Sequence, residues 1–201
     1  MLSTVYSCAV VGLEGEIVQV EVDFNPYGMP AFTVVGLPDV AVQESRERVR
    51  AAIRNSGLQF PNKRYTVNLA PASLRKEGPA YDLPMAIGVL GATDQVPLHK
   101  LAGAVFVGEL SLDGSVRHVS GMLPLVHRAW VEGYECIYVP EEDVNQAALV
   151  PEIDVVPVRS LGHLVEHLYE LQIIPPYVRH EVDVSVPLNL DGLTDFADVK
   201  G

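Results

Sequence analysis

From 81 to 93 the chain runs YDLPMAIGVLGAT, with Leu83, Met85, Ala86, Ile87, Val89, Leu90 and Ala92 spread around every side of a helix. A surface helix keeps a polar face, and beyond its first turn this one has none. The segment therefore predicts a mostly buried helix, which the rest of the chain must cover on several sides. Pro84 fits its first turn, where a missing N–H costs little.

The cover is readable from the order of the other elements. Residues 2–13 and 16–24 predict two antiparallel strands joined at Glu14-Gly15. In the second, Val18, Val20 and Val22 alternate with Gln19, Glu21 and Asp23, the pattern of a half-buried hairpin. Residues 31–36 predict a third strand. Asp39 is a good N-cap for a helix whose apolar stripe is Ala41, Val42, Ser45, Val49, Ala52 and Ile53, ended by Gly57. A strand follows at 65–69. After the buried helix come strands at 104–112 and 115–119, joined at Asp113-Gly114, and a helix at 124–132 closed by Gly133. A strand at 136–139, a short helix, a strand at 155–158 and a helix at 161–171 complete the series. This mixed order predicts a single domain of α/β (α+β) class with a mixed sheet over residues 1–172. Residues 173–201 read as a linker or tail. Beyond Pro175-Pro176 the composition turns acidic, and no periodic apolar face stands out.

With 14 basic against 26 acidic residues the net charge is -12, which argues against a broad phosphate-binding face. Cys8 and Cys136 fit no metal spacing and read as free thiols of a reducing compartment. No apolar run approaches the ~18 residues of a membrane span, and the N-terminus lacks the basic start of a signal peptide. A cytoplasmic protein without membrane contact is expected.

The residues bear on several chemistries. A phosphate loop of the form G-x-x-x-x-G-K-[ST] is absent, since no Gly-Lys pair occurs, so this chain is not expected to hydrolyse ATP. His163 and His167, four apart on the last helix, lack a third ligand and read as a solvated face; no metal is assigned. Arg46, Arg48, Arg50 and Arg54 are interrupted by Glu44 and Glu47, and pairing along the helix accounts for the mixture. Lys63-Arg64 and Arg75-Lys76 flank one strand and form a weak candidate for nucleic-acid contact. Ser73 lies near Lys76, but the lysine reads as part of a wet, charged loop, where it would stay protonated and be a poor base.

The loop before the buried helix carries a resemblance. Lys76-Glu77-Gly78-Pro79-Ala80 resembles the K-D-G-P-S segment of Lon-type proteases, and residues 108–116, GELSLDGSV, resemble their G-E-[IV]-x-L-x-G-x-V hairpin. Residues 138–142 resemble their later I-P-x-x-N region. The likeness implies a Lon proteolytic-domain-like fold with a left-handed βαβ unit. It also places Ala80 where the serine nucleophile would stand and Leu123 where the catalytic lysine would stand. Neither side chain can do that work. Asp82 replaces a small residue, where a carboxylate would oppose a developing oxyanion.

A more extensive resemblance is to magnesium-chelatase-like AAA+ ATPases of the ComM/YifB type. It rests on VVGLPD at 34–39, ESRERV at 44–49, NLAPA at 68–72, KEG at 76–78, YDLP at 81–84 and DFADVKG at 195–201. It implies that this is the N-terminal domain of a hexameric motor, ending just before an AAA+ module that would hold ATP and Mg. In the competence member the motor drives branch migration on DNA. A role in assembly and substrate engagement follows. The partner-facing candidates are Arg75, Lys76, Glu77, Gly78, Tyr81 and Asp82. Two alternatives stand beside it: a peptidase with a shifted serine, Ser73 or Ser120, and a nucleic-acid binding module.

Overall fold

The structure, a computed structural model, describes residues 1–178. Nine strands and five helices occur in the order β1 (Leu2–Val11), β2 (Glu14–Asn25), β3 (Ala31–Val35), α1 (Val40–Asn55), β4 (Arg64–Ala70), α2 (Asp82–Ala92), β5 (Ala104–Phe106), β6 (Glu109–Leu110), β7 (Val116–Arg117), α3 (Met122–Val131), β8 (Cys136–Pro140), α4 (Val144–Ala147), β9 (Asp154–Val158) and α5 (Leu161–Leu168). Seven strands form one mixed sheet in the order β3-β4-β2-β1-β5-β8-β9, and β6 with β7 makes a separate ribbon. The β1–β2 and β2–β4 pairs are antiparallel and the other four are parallel.

The buried helix is enclosed as its composition requires: all eleven residues of α2 are buried. It lies on β1 and β2 and is covered by α1. At Gly88 an added Cβ would meet Val22 Cγ2 at 2.6 Å, so the missing side chain is what lets helix and sheet touch. Each buried Leu, Ile, Val or Met contributes about 1.5–3 kcal/mol of transfer free energy before ordering entropy is set against it. This layer holds α1, α2 and α5. The opposite face carries α3 and α4 over Cys8, Val105, Ile137 and Val139.

Three local expectations change. The first hairpin turns at Gly12-Leu13, not Glu14-Gly15, because Val11 pairs with Glu14 and Val10 with Gly15. The strand expected over 104–112 breaks at Val107-Gly108: Val107 N–H goes to Tyr138 O, and Gly108 N–H turns to Ala80 O at 3.1 Å. The α1 arginines make no i, i+3 or i, i+4 ion pair. Arg46 pairs with its neighbour Glu47 and Arg48 crosses to Asp82.

The acidic tail lies, from 179, outside the described residues. Before that point Ile174 is buried and Tyr177 N–H donates to Val155 O at 2.7 Å, so 174–177 pack on the domain. His167 fastens this segment. Its Nδ1 accepts from Ile174 N–H at 2.9 Å and its Nε2 faces Tyr138 Oη at 3.1 Å. The ring is half-buried, not part of the solvated face expected for it. An Nδ1 that accepts must be unprotonated, and burial accordingly lowers the ring's pKa below 6.5. The folded state therefore binds fewer protons than the unfolded chain. The stabilisation is complete above about pH 6.5 and fades as pH falls toward the lower folded value. Denaturant titrations at pH 7.5 and 5 should show a loss of about 1 kcal/mol, the scale of one hydrogen bond. His167→Gln should not show it.

Candidate functional site

The loop from Leu74 to Tyr81 faces the C-terminal end of β1 and residues 118–120 across a cleft of about 790 Å³. Its shape is set by backbone bonds. Lys76 N–H donates to Leu37 O at 3.1 Å, and Lys76 O accepts from Asp39 N–H at 3.0 Å. The Asp39 carboxylate caps α1 through Val42 N–H and also accepts from Gly78 N–H at 3.2 Å. Gly108 then clamps the far side, accepting from Leu83 N–H at 3.0 Å while donating to Ala80. The VVGLPD and KEG stretches are thus one unit in space.

Within it, Ala80 presents a half-buried methyl group to the cleft. Leu123 does not share this cleft. It lines a second one, about 700 Å³, with Leu13, Trp130 and Leu149. Arg75 and Glu77 are exposed and paired at 3.2 Å, and Gly78 is half-buried. Three of the residues expected to face a partner are interior ones. Tyr81 and Asp82 are fully enclosed at the head of α2, and burial pushes the Tyr81 hydroxyl upward. Lys76 is fully buried too, drawn inward by its strand-like backbone bonds, and its Nζ donates to Pro71 O. Its pKa is lowered by burial, which corrects the wet-loop reading. Ser73, by contrast, is exposed.

Asp82 turns away from the cleft. Its carboxylate takes Arg48 Nε at 2.5 Å, Arg48 Nη2 at 3.1 Å and Leu110 N–H at 3.2 Å. That bidentate bond raises the Arg48 pKa further. The carboxylate orders the fold and does not line the cleft. The thiols are unreactive by environment: burial pushes Cys8 up to about 12 and half-buried Cys136 up to about 11. No group of three metal-ligating side chains occurs among the described residues, and no helix among them is long and apolar enough to cross a membrane.

Sequence reasoning missed His118 and Asp143. The His118 ring meets the buried Asp143 carboxylate through Nδ1, and Asp143 also accepts from Val119 N–H at 2.9 Å. His118 and Ser120 both line the cleft beside Ala80. The pair is 25 residues apart, and no local pattern joins them.

The family described as subunit ChlI of Mg-chelatase matches residues 20–143, more than half of the chain. The chain belongs to this family. Among its relatives, competence protein ComM of Haemophilus influenzae is 37% identical over 200 residues, covering 100% of this chain and 39% of ComM. The uncharacterized protein YifB of Escherichia coli is 42% identical over 149 residues, covering 74% of this chain and 29% of YifB. The chain therefore spans about a third of the length of these relatives. Lon protease 2 of Bacillus subtilis is 27% identical over 132 residues, covering 66% of this chain and 23% of that protease. The family's fold class here is mixed α/β and Lon-like.

Proposed function

We propose that this is a non-catalytic Lon-like N-terminal domain of a magnesium-chelatase-like AAA+ ATPase, serving ring assembly and substrate engagement. The observation that carries this is Ala80: a methyl group faces the cleft where the Lon resemblance implies a serine, on a loop held by backbone bonds to Leu37, Asp39 and Gly108. Support comes from Leu123, which brings no amine to the cleft, and from Lys76, which does not line it and whose Nζ donates to Pro71 O. ATP and Mg belong to an AAA+ module beyond these residues. Likeness to the ComM/YifB type extends the proposal to a hexameric cytoplasmic motor acting on DNA, with branch migration as its work.

One observation favours a second reading, a hydrolase with a shifted serine. Asp143 holds His118 by Nδ1 next to Ser120, an arrangement in which Nε2 could take a hydroxyl proton. The two readings separate on a fluorogenic peptide and a fluorophosphonate label applied to the chain. We expect background turnover and no serine labelling, with Ser73→Ala and Ser120→Ala indistinguishable from the parent. Labelling or cleavage that disappears in Ser120→Ala and His118→Ala would establish the hydrolase instead.

A further inference from the structure

At its last described residues the chain changes layers. Ile174 is buried among the residues of α1, α2 and α5. Tyr177 packs instead against the cluster beneath α3 and α4, and its Oη donates to Asn145 Oδ1 at 2.8 Å. The backbone bond from Tyr177 to Val155 leads the chain round β9, the outer strand of the sheet. Val178 then lines a small pocket with Val150 and Pro151. Those two residues also line the cleft of about 700 Å³ that holds Leu123. The chain is thus delivered to the lip of that cleft.

The cleft is apolar and uncovered. Leu13 is 94% exposed, Val131 55%, Leu149 44% and Trp130 38%. Its wall is fixed: an added Cβ at Gly15 would come 2.4 Å from Pro124 O, so the β1–β2 hairpin is set hard against α3. Its guanidinium, that of Arg128, is bonded to Glu16 at 3.1 Å and to Glu132 at 3.0 Å, which leaves apolar contact as the main attraction. Residues 182–190, VDVSVPLNL, supply it. Read with a helical period this stretch shows no face. Read with a period of two, Val182, Val184, Val186, Leu188 and Leu190 fall on one side, with Asp183, Ser185 and Asn189 on the other.

We propose that the cleft between the β1–β2 turn, α3 and residues 149–152 is the docking site for residues 182–190 of the same chain, which lie outside the described residues. The tether decides for this occupant over a second copy. Val178 stands only four residues before Val182, and a segment held that close meets its site at an effective concentration on the order of millimolar. A separate molecule in dilute solution does not match that. The proposal does not rest on the Ala80 reading. Under the motor reading, it seats on this domain the stretch that leads toward the AAA+ module.

Trp130 is the one tryptophan of the chain and lines the cleft, so its fluorescence reads occupancy. Acrylamide quenching of the 201-residue chain should find it shielded. The double variant Val184→Asp/Val186→Asp should raise the quenching constant and move the emission to longer wavelength, because each lost valine contact lowers the docked-to-free ratio roughly tenfold or more. Ser185→Asp/Asn189→Asp adds the same two charges on the other side of the alternation and should quench as the parent does. All four substitutions lie outside the described residues, and circular dichroism checks that each variant is folded. Equal quenching in the three proteins would overturn the proposal, as would an equal rise in both variants. Shielding that fades on dilution would assign the cleft to a second copy instead. None of these results bears on the Ala80 cleft, which is read by peptide turnover.

Discussion

Replacing Asp82 with alanine is expected to lower the unfolding free energy by about 3–5 kcal/mol, the usual cost of leaving half of a buried ion pair behind. The carboxylate is fully enclosed, and the Arg48 side chain is only 21% exposed. Removing Asp82 strands the guanidinium and also the Leu110 N–H, which would lose its acceptor. Arg48 would keep Ala41 O at 3.1 Å and Ser45 Oγ at 3.0 Å, which places the loss toward the lower end. Urea unfolding followed by Trp130 fluorescence measures it. The double variant Arg48→Met/Asp82→Leu should recover most of the loss, because an apolar pair of similar volume replaces a pair that was costly to desolvate. A double variant as unstable as the single one would show that Asp82 works through something other than Arg48.

Gly36→Ala is the second large effect, expected at about 3–5 kcal/mol. Gly36 has φ 100, a backbone state costing a residue with a side chain roughly 1–3 kcal/mol. The added Cβ would also lie 2.1 Å from Leu69 O. That neighbour is backbone of β4 and cannot rotate aside, so a further ~1–3 kcal/mol of overpacking applies. The damage should centre on the edge pair, where Val35 stands beside Asn68, and on the Asp39 cap that follows. Amide exchange would show β3 and the first turn of α1 opening before the rest. Uniform loss of protection would contradict that localisation.

These two residues also show what was legible in advance. Periodicity exposed α1, α2 and β2 plainly, because each has a face or a whole surface that water must not reach. The Asp39 cap was equally readable, since it depends on one side chain's chemistry. Lys76, Tyr81 and Asp82 were misplaced because loop composition suggests water, whereas backbone bonds to Leu37 and Asp39 and the ion pair to Arg48 draw all three inward. The meeting of His118 with Asp143 depends on how the chain folds back on itself. Local spacing carries no record of that. The same holds for Leu123, which shares a helix with cleft-lining Leu125 but faces the other way.

Gly108 grips the strand of chain on either side of Tyr81, taking one bond and giving another. The rim of the Ala80 cleft is consequently tied by two backbone bonds to the chain that enters the ribbon of β6 and β7, so cleft rim, ribbon and the head of the central helix are linked through one residue.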